Sequence, residues 1–314
     1  MDLTSLFLML KQRDVITVDD IETAEMFDIF ELARQYEKAL KSGKKIDDFE
    51  SKIMATFFYE PSTRTRLSFE SAMHRLGGSV LSVPEPKSSS AAKGETLADT
   101  MRMASSYSDI IVIRHPLDGS ARLASKFSSV PVINGGDGSG QHPTQTLLDL
   151  YTVWKEFGDF DNLTITILGD LKYGRTTHSL IRMLSRFRTR INLISPETLK
   201  MPDHVISNLP RNFKVNVSGD LNTVISETDV LYVTRIQKER FVDPNEYQGV
   251  IGAYSINEET THAMKKGSII MHPLPRIDEI TPEVDETPNA RYFQQAANGV
   301  PVRMALISKM LKVN

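Results

Sequence analysis

Apolar residues recur along the chain in two alternating rhythms. In "TVDDIETAEMFDIFELARQYEKALKSGKK", residues 17–45, Ile21, Ala24, Phe27, Phe30, Ala33, Tyr36 and Leu40 share one face at helical spacing, and Gly43 supplies a stop. Beyond it, short runs rich in valine and isoleucine alternate with helix-like stretches. The runs are "KIMATFF", "GSVLSV", "DIIVI", "VPVIN", "LTITILGD", "RINLIS", "FKVNV", "DVLYVTR" and "GSIIMHP". Most lack strict apolar–polar alternation, as in strands buried on both faces of a parallel sheet. Their regular alternation with helices predicts an α/β fold.

The rhythm breaks at 135–162. "NGGDGSGQHP" is a glycine-rich loop, "TQTLLDLYTVWKEFG" reads as a helix, and a new strand series follows. A domain junction belongs here, crossed by that helix. The expected architecture is two domains, each a parallel sheet flanked by helices, with a ligand cleft at the carboxyl ends of the strands. The first domain takes residues 1–143 plus 292–314, and the second 144–291. "RYFQQAANGVPVRMALISKMLK" reads as a closing helix, with Pro301 expected to interrupt or bend it.

At 314 residues the chain is comfortable for two cores. A formal net charge of −3 argues against broad nucleic-acid binding, although it leaves room for a local basic pocket. With no cysteine, disulfides, thiol nucleophiles and thiolate metal sites are excluded, which fits a cytoplasmic enzyme. No apolar run approaches the roughly 18 residues that cross a membrane. The N-terminal "MDLTSLFLMLKQRD" lacks the basic start and cleavage site of a secretory signal.

The strand ends carry the candidate chemistry. After "IMATFF", the segment from Ser62 onward is helical, with Thr65, Phe69, Ala72, Met73 and Leu76 on one face and Gly77 at the C-terminal cap. Ser62, Thr63, Arg64 and Thr65 therefore sit at a helix N-terminus. Unpaired backbone N–H groups and the helix dipole favour an anion there, hydroxyls add donors, and Arg64 adds a planar fork. A capped helix with solvated arginines is the plain alternative. Four further strand ends repeat the theme, with Arg114 in "IIVIRHP", Arg175 in "ILGDLKYGRTTHS", Arg235, Gln237 and Arg240 in "LYVTRIQKER", and the turn "MHPLPR". His142 and Gln145 open the cross-domain helix. Ligands of open α/β sheets bind beyond the carboxyl ends of the strands, so these residues suggest one cationic cleft.

"GDLKYGRT", Gly169 to Thr176, nearly matches a P-loop, but Arg175 stands where that motif needs lysine. His142 has three readings: metal ligand, cap or core residue, and donor to a substrate oxygen. The first lacks partner ligands at suitable spacing. His74 and His178 lie within helical patterns and read as structural. No serine elbow or carboxylate pair stands out. The chemistry suggested is oxyanion stabilisation and positioning, with no protein nucleophile.

"STRTR", "SSSAAKGETLADT", "IRHP", "GDGSGQHPTQTLLDL", "GDLKYGRTTHS", "TRIQKER" and "HPLPR" resemble, in order and spacing, the aspartate branch of the aspartate/ornithine carbamoyltransferase family. The resemblance runs from about Val15 to the last helix. "STRT" and "HPTQ" are shared across that family. "TRIQKER" and "HPLPR" are particular to the aspartate branch, and the ornithine enzymes carry a cysteine in the latter turn. The resemblance implies transfer of a carbamoyl group from carbamoyl phosphate to L-aspartate, in pyrimidine synthesis, with no metal or organic cofactor.

Residue by residue it implies that Ser62, Thr63, Arg64 and Thr65 hold the phosphate. Arg114, His142 and Thr65 donate to the carbonyl oxygen. Gln145 and the backbone carbonyls of Pro273 and Leu274 hold the amino group. Arg175, Arg235 and Gln237, with Lys93, bind aspartate. Ser89 and Lys93 reach the neighbouring subunit's site in a homotrimer, and Glu60 pairs with Arg175 and Arg240 in domain closure. Whether regulatory chains bind is left open.

Overall fold

The computed structural model describes residues 13–85, 90–241 and 243–311. The chain divides into two compact units, Met1–Tyr151 with Asn298–Asn314, and Thr152–Ala297. The first contains β1 (Ile53–Phe58), β2 (Ser79–Val83), β3 (Ile110–His115) and β4 (Val132–Asp137) in the order β2-β1-β3-β4, all parallel. The second contains β5 (Thr164–Leu168), β6 (Arg190–Ile194), β7 (Val215–Ser218), β8 (Val230–Val233) and β9 (Ile269–Met271) in the order β7-β6-β5-β8-β9, again parallel. All nine apolar runs are strands.

The helices are α1 (Thr23–Lys41), α2 (Thr63–Arg75), α3 (Leu97–Ser105), α4 (Ser120–Phe127), α5 (Pro143–Phe157), α6 (Arg175–Leu184), α7 (Asp203–Ser207), α8 (Pro244–Gln248), α9 (Glu258–Ala263) and α10 (Tyr292–Leu311). The unit division falls within α5 and at Ala297–Asn298 of α10.

Central strands β3, β5 and β8 are buried almost throughout, because helices cover both faces. Edge strands β2 and β7 are largely open, and Leu81 and Val217 are exposed there. The opposite edges are closed by short bridges. Val15 pairs beside Ile133 on β4, and Ala290 pairs beside Ile270 on β9. These bridges supply backbone partners that an open edge would lack. Fully buried side chains such as Phe58, Phe69, Phe160 and Tyr232 each contribute roughly 1.5–3 kcal/mol by leaving water.

Two expectations are corrected. The face of α1 turns toward Met26 and Ile29, which are fully buried, while Ala24 is exposed and Leu40 half-buried. The α5 and α10 partners decide this, since Phe30 packs on Tyr151 and Tyr36 bonds Ser308. Pro301 does not interrupt the last helix, which runs unbroken from Tyr292 to Leu311. Pro301 withholds one N–H, but Val302, Met304, Ala305, Leu306 and Ile307 are all fully buried, and that packing outweighs the missing bond.

Backbone approach at one strand end is tight. Gly169 follows β5 with φ +118°, and a Cβ there would stand 2.2 Å from the Thr234 carbonyl oxygen. Gly169→Ala should destabilise the second unit by about 2–4 kcal/mol. Denaturant unfolding followed by Trp154, the single tryptophan, tests this. A shift below about 1 kcal/mol would show that the strand end can give way.

Candidate functional site

In each sheet the strand order reverses beside the first strand, between β1 and β3 and between β5 and β8. The connections leave in opposite directions there, opening a crevice at the carboxyl ends. Ser62 to Thr65 and Arg114 flank the first crevice and Arg175 and Arg235 the second, while His142 and Gln145 follow β4 and Pro273 and Leu274 follow β9.

In the first unit, β1 leads through Glu60 and Pro61 into α2. Ser62 is the N-cap residue, its side chain makes no capping hydrogen bond, and the first turn holds no acid. Thr63 and Arg64 are exposed and Thr65 is buried. The first turn of this helix therefore adds no negative charge of its own, which favours an anion at its N-terminus. Across the crevice, Arg114 on β3 pairs in register with Phe58 on β1. Its guanidinium donates to the Gly135 carbonyl at 3.2 Å and to Glu60 Oε1 at 3.2 Å. Two acceptors from two elements hold a largely buried cation.

The glycine-rich loop after β4 is organised by its own polar residues. Asn134 Nδ2 donates to the Ile16 carbonyl and to Asp137 Oδ1, both at 2.9 Å, and Gly136 N–H donates back to Asn134 Oδ1 at 2.8 Å. The loop delivers His142, 4% exposed, to the start of α5, where its carbonyl accepts the N–H groups of Gln145 and Thr146. Gln145 Nε2 donates to buried Asp149 Oδ1 at 2.8 Å. A carboxylate only accepts, so the Gln145 amide must turn its NH2 toward Asp149 and keep its oxygen as an acceptor. Arg303 on α10 lies over the Phe69 ring of α2 at 4.8 Å and reaches Thr144 Oγ1 of α5 at 3.5 Å. It ties together the two helices that present the candidate residues.

In the second unit, fully buried Asp170 follows β5. It accepts the N–H of Tyr173 at 2.9 Å and of Gln237 at 3.3 Å, so one carboxylate ties the turn after β5 to the turn after β8. Burial raises its pKa, and those N–H donors and nearby Arg235 oppose the rise. An acid inside "GDLKYGRT" is the wrong charge for a phosphate cradle, which counts against a P-loop there. Arg175 opens α6 and is buried. Arg235 grips Glu239 with both terminal nitrogens, one at 3.0 Å from Oε2. Its hydrogen bond to Arg235 holds Glu239 below the ordinary carboxylate range. Arg235 also lines an open hollow of roughly 440 Å³ with Tyr247, Tyr254 and Ile277. Gln237 and Arg240 flank the following turn and are half-buried.

The turn after β9 holds Pro273 and Leu274, and Leu274 adopts φ 52°. His272 before it is buried against Glu279, with Nε2 2.6 Å from Oε1. Burial lowers the His272 pKa, and the bond and charge of Glu279 oppose the drop. His178, structural as expected, places Nε2 2.8 Å from the Leu171 carbonyl, and burial lowers its pKa too. Lys93 ends a 3-10 turn, Ser90–Lys93, and is exposed, while Ser89 lies outside the described residues. Among the described residues no group of three or more His, Cys, Asp or Glu gathers to hold a metal, and no helix is long and apolar enough to cross a membrane.

Glu60 as partner of Arg114, Asp149, Asp170, Glu239 and Asn134 were missed from the sequence. Asp149 was legible in principle, since it lies one helical turn beyond Gln145 on α5, whereas Glu239 meets Arg235 across an irregular turn. Asp170, an acid ending an apolar strand, was also a signal.

A two-unit α/β protein with arginines and helix N-termini at the carboxyl ends of both sheets is thus defined. Models of the carbamoyl-phosphate-binding domain and the Asp/Orn-binding domain of aspartate/ornithine carbamoyltransferases match residues 13–155 and 161–310. The chain belongs to the aspartate/ornithine carbamoyltransferase family. It is 65% identical over 303 residues to the aspartate carbamoyltransferase catalytic subunit of Thermoplasma volcanium, covering 96% of this chain and 99% of that one. The catalytic subunit of M. jannaschii aspartate transcarbamoylase superposes with a TM-score of 0.88 at 52% identity, covering 95% and 97% of the two chains. Aspartate transcarbamoylase from Trypanosoma cruzi, solved with carbamoyl phosphate and aspartate, gives 0.94 at 37% identity, covering 98% and 99%.

His178 and His272 are both buried with pKa values below the ordinary 6.5, while the unfolded chain takes up their protons near it. The second unit should therefore hold its full stability above pH 6.5 and lose it as pH falls toward the lowered values. Trp154-monitored denaturation at pH 7.5 and 5.5, at roughly one unit either side of that value, checks the sign. His178→Gln should flatten the dependence, and an unchanged slope would remove His178 from it.

Proposed function

We infer that the chain transfers the carbamoyl group of carbamoyl phosphate to the amine of L-aspartate, giving N-carbamoyl-L-aspartate and phosphate in de novo pyrimidine synthesis. The observation that carries this reading is the pairing of an acid-free helix N-terminus, Ser62 to Thr65, with buried Arg114 across the same strand-order reversal. The bound carbamoyl phosphate and aspartate of the Trypanosoma cruzi relative support it.

The phosphate rests on Ser62, Thr63, Arg64 and Thr65. The carbonyl oxygen takes hydrogen bonds from Arg114, His142 and Thr65. The carbamoyl nitrogen donates to the Gln145 side-chain oxygen and to the Pro273 and Leu274 carbonyls. Arg175, Arg235 and Gln237 receive the acceptor's two carboxylates, with Lys93 assisting from a neighbouring subunit beside Ser89. Glu60 and Arg240 serve closure.

The aspartate amine attacks the carbonyl carbon, forming the C–N bond. Charge grows on the carbonyl oxygen, where preorganised donors stabilise it most. The C–O bond to phosphate then breaks, and the leaving dianion is stabilised by the α2 N-terminus and Arg64. The ammonium proton passes to the leaving phosphate, which therefore departs as hydrogen phosphate dianion. Holding both substrates in attacking geometry supplies much of the acceleration.

Purified protein offered carbamoyl phosphate with L-aspartate or L-ornithine should carbamoylate aspartate alone. Product from ornithine would overturn the acceptor assignment. Arg114→Ala should lower kcat by roughly a hundredfold or more, as for a lost oxyanion donor. A near-native kcat would remove Arg114 from that role. Because Lys93 acts in a neighbour, inactive Lys93→Ala and Arg64→Ala chains reassembled together should regain activity. Hybrids that stay inactive would refute shared sites and the trimer they require.

A further inference from the structure

The turn that presents the Pro273 and Leu274 carbonyls has its own buried fastening. His272 is 1% exposed. Its Nδ1 lies 2.8 Å from the Leu274 backbone nitrogen, and its Nε2 lies 2.6 Å from Glu279 Oε1. A backbone N–H only donates, so Nδ1 must carry a lone pair. Nε2 then carries the ring's single proton and donates it to the Glu279 carboxylate. Only the neutral Nε2–H tautomer satisfies both contacts.

Other bonds converge on the same loop. Glu279 Oε2 accepts the N–H groups of Ile277 and Asp278, both at 3.2 Å. The His272 N–H donates to Gln295 Oε1 of α10 at 2.8 Å. Leu274 sits at φ 52°, a region disfavoured for a residue with a side chain. Its N–H bond to the imidazole holds it there. The charged groups facing His272 are Glu279 and Arg276 on its own loop and Arg235 beyond β8, while α10 offers the neutral Gln295 amide.

We propose that His272, as its Nε2–H tautomer braced by Glu279, is a positioning residue that fixes the Leu274 peptide and so sets recognition of the carbamoyl nitrogen. This rests on the donor-binding role given above to Pro273 and Leu274. A second proton at Nδ1 would face the Leu274 N–H and release the turn. Burial, which keeps the imidazole neutral, delays that release to acid pH.

The test compares binding of carbamoyl phosphate with that of acetyl phosphate, which keeps the carbonyl and phosphate but replaces the amino group with a methyl. Two variants divide the ring's contacts. His272→Asn retains an acceptor for the Leu274 N–H, and His272→Gln retains a donor to Glu279. Wild type should prefer carbamoyl phosphate. His272→Gln should lose about tenfold of that preference, and His272→Asn no more than about threefold, since each difference amounts to one hydrogen bond. Acetyl phosphate affinity should hold in both, which a general structural collapse would not allow. A His272→Gln protein with undiminished preference would overturn the proposal and leave the donor-binding reading standing. A wild type without preference would overturn both. Nitrogen NMR of the unmutated protein gives an independent arm. It should show His272 as the neutral Nε2–H tautomer at pH 7, and a proton on Nδ1 would overturn the proposal.

Discussion

A parallel sheet cannot close its strand order without a place where successive crossovers part company. In both units that place lies next to the first strand, between β1 and β3 and between β5 and β8. The Ser62–Thr65 helix start, Arg114, Arg175 and Arg235 stand beside these places, where the outgoing turns separate. Helix N-termini arrive there with their dipoles, and Arg114 and Arg235 end or follow strands there. The hydrophobic runs buried on both sheet faces make the frame rigid enough to hold these groups in register.

Concentrated positive charge has to be managed, and each crevice manages it with carboxylates. Glu60 holds Arg114 from the neighbouring strand end, and Glu239 holds Arg235 from the turn that follows β8. Asp170 takes no arginine and instead ties two turns through backbone N–H groups. These pairs are partly solvated. Breaking one side would leave a cation short of partners, which costs more than the intact pair contributes. Positions of the cations are thereby set before any ligand arrives.

The strands, their parallel arrangement and the cationic strand ends were all readable as residues. Val- and Ile-rich runs without alternation can hardly pack otherwise, and an arginine ending such a run has nowhere to go but the rim. What escaped reading was tertiary in origin. The face of α1 depends on Tyr151 and Ser308, more than a hundred residues away in sequence. Pro301 reads as a break, yet the residues around it are buried too well for the helix to yield. Glu60 looks like an ordinary surface acid until the fold brings Arg114 to it, and Asp170, although it ends an apolar strand, does not by itself reveal the Gln237 N–H as its partner. Asp149 differs, since helical spacing alone placed it beside Gln145.

On the role proposed for Arg235, the grip of Glu239 makes carboxylate capture at this position a substitution and not a simple addition. The guanidinium has already shed part of its water and already faces a carboxylate. An incoming carboxylate inherits that desolvated fork while Glu239, the more exposed partner, returns to solvent. Ion pairs are conserved across the exchange, so its free energy is a small difference between similar terms. Salt, which weakens both pairs alike, should move this equilibrium far less than it moves the proposed phosphate capture at the α2 N-terminus, whose first turn carries no acid.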